Sequence, residues 1–145
     1  MNNLALNTAA RTILRIVVGF LFAAHGWQKY NEFTIVGTQG AFAQMGVPAA
    51  DVIAPIIATL ELVGGIALIL GLATRPFAAL LLTLNMLGAI ILVHASAGVF
   101  VEGGGYELVL LLGASALAVA LVGPGKLSVD NALFGRSTSK LRVLA

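Results

Sequence analysis

Four apolar stretches of membrane-spanning length fill this chain of 145 residues. They run from about Ala9 to Tyr30, Val52 to Leu72, Pro76 to Ala97 and Tyr106 to Val122. A helix that crosses the ~30 Å hydrocarbon layer needs ~20 apolar residues. His25, Lys29, Glu61, Asn85, His94 and Glu107 lie within these spans or at their edges. A charged side chain at the centre of a spanning helix costs at least ~2.5 kcal/mol, so such groups face protein or water. A function must be sought among them.

The hydrophobic fraction is 59% and the charged fraction 10%, against ~45–50% apolar in a soluble domain. Four spans leave no room for a separate soluble unit. The chain reads as one membrane domain over residues 1–133 with a basic polar tail, 134–145, lying free or on anionic lipid. The absence of cysteine excludes a disulfide scaffold, a dithiol redox centre and an iron–sulfur cluster held by this chain alone. The first apolar run is too long for a cleavable signal peptide, and no small-residue cleavage site follows it.

Orientation is read from the basic residues. If the chain crosses four times, Arg11, Arg15, Arg75, Lys126, Arg136, Lys140 and Arg142 fall on one side and Lys29 alone on the other. The positive-inside rule then places both termini and the 74–76 turn in the cytoplasm. The 31–51 and 96–105 connections face outward.

A lone segment in lipid must satisfy its own backbone, so the spans are helices. The expected fold is an all-α, four-helix up-down bundle. Ala54, Ala58, Gly64, Gly65 and Gly71 give span two a face on which another helix can approach closely. Pro55 falls in its first turns, where a missing N–H costs little. In the outer connection, Thr38 can cap a short helix reaching Met45, with Gly46 at its end and Pro48 as a stop signal. Phe42 and Met45 then share a face. The segment is either an ordered connection or a lid over a pocket.

Depth decides which polar residues can meet. His25 lies roughly 7 Å below the outer end of span one at ~1.5 Å per residue. Lys29 is one turn above it on the same face. His94 and Glu107 sit at the same level from spans three and four. Glu61 lies near the midplane of span two, where a carboxyl must be neutral, paired or solvated. Asn85 is also near the midplane, but a straight α-helix turns it and His94 to opposite faces. Plainer roles exist for each: Lys29 can snorkel, Glu107 can sit among headgroups, either His can bridge two helices, and Trp27 and Tyr30 can anchor at the interface.

Two His, two carboxyls and a Lys suit a polar-headed lipophilic molecule. A quinone fits: His25, Lys29, His94 and Glu107 gather at the headgroup with Lys29 at the mouth, Glu61 relays protons, and apolar walls take the tail. Haem between His25 and His94 and a divalent metal on His25, His94 and Glu107 are weaker readings. No phosphate loop, dinucleotide fingerprint or nucleophile triad occurs.

The stretches RIVVGFLFAAHGWQK in span one and GVPAADVIAPIIATLELVGGIALILGLATRPFA in span two carry a resemblance. With His94, the Gly105–Glu107 opening of span four and GPGKLSVD after it, they resemble the DoxX family of small bacterial membrane proteins over residues 11–130. The resemblance implies a four-helix bundle in the bacterial inner membrane. It also implies a link to quinone-coupled oxidation, since relatives resemble a subunit of thiosulfate:quinone oxidoreductase and others join redox-stress complexes with soluble partners. Quinone reductases of similar architecture use cysteine pairs, which this chain lacks. The leading expectation is a quinone-binding component of an oxidoreductase system, with lipid, a protein partner and a second copy of the chain as candidate neighbours and no nucleic acid. The rivals are a non-catalytic scaffold subunit and a small-molecule or lipid transporter. No complete catalytic set identifies the chain as an enzyme by itself.

Overall fold

The computed structural model describes residues 3–135, apart from the side chain of Ala78, so the tail expectation falls outside the described residues from residue 136 onward. Every regular element among the described residues is a helix. Helix α1 is Asn3–Asn31, α2 is Ile35–Gln44 and α3 is Ala50–Leu70. Helix α4 covers 76–97 in changing windings: Pro76–Leu82 is π, Thr83–Ala89 is α, Ile90–His94 is π again and Ala95–Ala97 is 3-10. Helix α5 is Glu107–Val122 and α6 is Val129–Phe134. Three of these (Asn3–Asn31, Ala50–Leu70 and Ala79–Ala97) are long and apolar enough to cross a membrane, and α5 is apolar but shorter.

Helix α1 packs most extensively on α3 because small residues face each other there. A Cβ on Gly26 would lie 2.3 Å from the Leu62 nitrogen, and one on Gly65 would lie 2.3 Å from the Ala23 nitrogen. Only glycine permits that approach. Gly64, the neighbour on α3, instead faces Leu82 and Phe77 of α4. The central core joins Val18 and Phe22 of α1, Leu68 of α3, Leu82 and Met86 of α4, and Leu112, Ala116 and Val119 of α5.

One end of the bundle is tied by arginines. The last carbonyls of a helix lack intrahelical donors. Arg11 Nη1 donates to Val122 O at 2.7 Å and Arg75 Nε to Ala120 O at 3.3 Å, both at the end of α5. Arg15 is buried and donates to Leu68 O and Ile69 O at the end of α3 and to Leu127 O. Gly71 ends α3 with φ +70°, and a Cβ there would strike Ser128 and the Arg15 guanidinium. Asp130 of α6 completes the knot: Ala73 N–H and Thr74 N–H donate to its two carboxylate oxygens at 2.7 and 2.9 Å.

Local details differ from expectation in two places. Thr34, with φ 59°, caps α2 by accepting from Gly37 N–H, whereas Thr38 is buried inside the helix and donates to Thr34 O. Pro55 lies beyond the first turn of α3, so the Asp51 carbonyl has no donor four residues on. Gln39 of α2 supplies one, its Nε2 donating to Asp51 O at 2.7 Å.

Candidate functional site

The close approach of α1 and α3 sets up the polar centre. Lys29 is one turn beyond Gly26, and Glu61 is one turn before Gly65, so the two side chains meet across the contact. Lys29 Nζ donates to Glu61 Oε2 at 2.5 Å, and Asn85 Nδ2 donates to Oε1 at 3.0 Å. Each carboxylate oxygen is therefore held by a different helix. The Glu61 and Lys29 side chains are 6% and 15% exposed, so the pair is screened little by solvent. Of the three options for a carboxyl at this depth, the structure takes pairing.

Both histidines are fixed by backbone. His25 Nδ1 is 2.8 Å from Leu21 O, and His94 Nδ1 is 2.6 Å from Gly104 O. A carbonyl only accepts, so Nδ1 carries the proton in each neutral ring and Nε2 is left as an acceptor.

His25, Lys29, Glu61, Asn85 and His94 line one cavity of about 600 Å³. Its walls are apolar, with Phe22, Leu84, Leu108 and Leu112 among them, and Phe42 and Met45 of α2 with Val47 close one side. The shared face expected for Phe42 and Met45 thus turns onto a pocket. Helix α2 is held in place by its own cap and by Thr38 Oγ1, 3.3 Å from Lys29 O.

Two placements correct the reading from sequence. Asn85 and His94 share the cavity instead of facing apart. Between them Ile90–His94 winds as a π-helix, whose i→i+5 bonds add a residue per turn and shift the register. Glu107 is not in the cavity lining: its Oε1 accepts from Val101 N–H at 2.8 Å and so orders the 98–106 connection. That also removes it from a metal set with the histidines, and among the described residues no group of three or more His, Cys, Asp and Glu side chains is placed to hold a metal ion. Asn85 as a direct partner of Glu61 was not foreseen. The only hint was a polar residue at midplane depth.

Residues 10–95 match the DoxX family model. The chain belongs to the DoxX family. The five polar residues of the cavity fall inside the matched segment of this DoxX protein, and Glu107 falls outside it. It is 34% identical over 122 residues to the Bacillus subtilis protein named "Putative oxidoreductase CatD", covering 84% of this chain and 85% of that one. It is 35% identical over 138 residues to the uncharacterized membrane protein Rv3486 of Mycobacterium tuberculosis, covering 87% and 82%. It is 31% identical over 121 residues to the inner membrane protein YqjF of Escherichia coli, covering 83% and 89%. No solved structure matches the chain. Family and apolar helices together make this DoxX chain an integral membrane protein.

Proposed function

We propose that this DoxX protein is the membrane component of a quinone-linked oxidoreductase system and binds a quinone-like headgroup in the cavity between α1, α3, α4 and α5. One observation carries the reading: an apolar cavity of about 600 Å³ has a paired Lys–Glu–Asn centre and two histidines on its wall. Ligand sites of ~300–1,000 Å³ typically combine apolar walls with a few placed polar groups. The sequence has no cysteine to carry electrons, and in this reading a protein partner exchanges them. The name of the B. subtilis relative agrees with such a setting.

In this reading Lys29 and Asn85 orient the headgroup, and Glu61 holds or releases a proton at its carboxylate. The apolar walls exclude water, and α2 lies over the cavity as its lid. A bound quinone supplies two-electron, two-proton redox chemistry. The distribution of basic residues supports an arrangement with the arginine-tied end in the cytoplasm, α5 as a fourth crossing and the lid end outside the inner membrane. In this reading residues 1–133 form one membrane domain.

The test is extraction of the purified protein followed by mass spectrometry of the lipids that accompany it. A quinone enriched over the bulk membrane supports the reading, and its retention should fall when Leu84→Trp fills the cavity. In the intact system, Glu61→Gln keeps an amide between Lys29 and Asn85 that neither takes up nor releases a proton, so quinone-linked turnover should drop while membrane levels stay normal. Absence of quinone, with a protein partner still captured, would assign the chain to a scaffold role.

A further inference from the structure

Resting on the quinoid-pocket reading, we infer that the cavity is built for the reduced, dihydroxy form of the headgroup, with His25 Nε2 and His94 Nε2 each accepting a hydrogen bond from a ligand hydroxyl. The argument is a balance of donors and acceptors. Each histidine spends its N–H on a backbone carbonyl, Leu21 O for His25 and Gly104 O for His94. What each ring retains is one lone pair at Nε2. Among the described residues, the buried side-chain polar atoms without a partner are Arg15 Nε and Thr74 Oγ1, both at the far end of the bundle. The two Nε2 atoms are not among these, and both residues line the cavity.

The nearby donors are partly committed. Lys29 Nζ and Asn85 Nδ2 each give one hydrogen to Glu61. A quinone ring has two carbonyl oxygens, which only accept. Bound here it satisfies remaining hydrogens on Lys29 or Asn85 but gives neither imidazole lone pair a hydrogen. A hydroquinone has two hydroxyls, each of which donates and accepts. It can give a hydrogen to each Nε2 and still accept from Lys29 or Asn85. Covering an acceptor with a ligand that gives it no hydrogen strips it of its hydrogen bonds to water, so the oxidised form should bind at least tenfold more weakly. The cavity would then favour the dihydroxy form by hydrogen-bond chemistry alone, with no change of shape.

The experiment compares three probes on the purified full chain in nanodiscs: decyl-hydroquinone under reducing conditions, decyl-quinone, and the hydroquinone dimethyl ether, which keeps the ring and tail but has no O–H. Binding is read by quenching of Trp27 fluorescence and checked by equilibrium dialysis. The hydroquinone should bind at least tenfold more tightly than the other two. In the His25→Phe and His94→Phe variants that advantage should shrink, the hydroquinone binding more weakly and the quinone, which no longer covers an unpaired acceptor, more tightly. If these variants do not fold, the three probes on the unaltered protein still decide. Equal binding of hydroquinone and quinone, or tighter binding of quinone, overturns this inference and leaves the pocket reading standing. If none of the three binds, the pocket reading itself falls and this inference with it.

Discussion

Glu61 of α3 and Lys29 of α1 form a 2.5 Å ion pair that is nearly closed to solvent, at the contact where glycines let the two helices touch. Removing one member of a buried pair strands the other charge, at a typical cost of ~3–5 kcal/mol, whereas replacing both by apolar residues is often close to neutral. Glu61→Leu should therefore lower the stability of the bundle by about 3 kcal/mol. The Lys29→Met/Glu61→Leu double variant should recover most of it while losing ligand binding. Thermal unfolding in detergent across the double-mutant cycle measures the coupling. Additive effects of the two substitutions would show that the pair contributes nothing to the fold.

The glycine contact gives a second expectation. A Cβ at Gly26 would lie 2.3 Å from the Leu62 nitrogen, a backbone atom that cannot swing aside. Gly26→Ala should force α1 off α3 and lengthen the Lys29–Glu61 pair one turn above, with an overpacking cost of about 1–3 kcal/mol. Gly40 has nothing within 4 Å of a built Cβ and lies inside α2. Gly40→Ala should be neutral or slightly stabilising, since alanine is the better helix former by up to ~1 kcal/mol. Unfolding temperatures of the two variants decide, and equal values would mean that the contact is soft.

Topology can be measured directly. Seven basic residues lie on one side of the four-crossing arrangement and Lys29 alone on the other. Reporter fusions at Gly40 and Gly104 should read as external, and a fusion after Leu133 as cytoplasmic. A cytoplasmic signal at Gly104 would mean that α5 and the end of α4 do not lie as four crossings require.

Much of this architecture was legible in the sequence because lipid imposes simple rules. Apolar runs located α1, α3, α4 and α5 to within a few residues at most ends, although α1 begins several residues earlier than hydropathy suggests. The cost of a carboxyl at depth marks Glu61 as a residue that needs a partner. Three features left no such trace. The π windings of α4 have no compositional signal, so the register that brings Asn85 and His94 together could not be read from their spacing. Glu107 looked like a site residue by depth, but its direction is set by the backbone of the 98–106 connection. The third is the Arg15–Asp130 end of the bundle. Arg15 was read as a topology marker at the start of a span, yet it is buried among the carbonyls of α3. Asp130 pairs with amides more than fifty positions away, a distance no local pattern encodes.

That end of the bundle supplies the last prediction. Asp130 is fully buried. Its Oδ1 and Oδ2 accept from Ala73 N–H and Thr74 N–H at 2.7 and 2.9 Å, while its own N–H donates to Gly71 O at 2.9 Å. The carboxylate thus holds the turn that starts α4 and places negative charge near Arg15. Hydrogen bonds to a charged group contribute roughly 1.5–3 kcal/mol each, and a buried donor stripped of its acceptor bears the desolvation penalty. Asp130→Ala should therefore destabilise the protein by about 3 kcal/mol or more. Asp130→Asn keeps one acceptor oxygen but loses the charge and should fall between Ala and the native residue. Hydrogen exchange separates a local from a global effect. If Asp130 staples the turn, the Ala73 and Thr74 amides should lose protection in Asp130→Ala well before those in the middle of α3. An Asp130→Ala protein that unfolds at the native temperature with those amides still protected would show that α6 merely rests on the bundle.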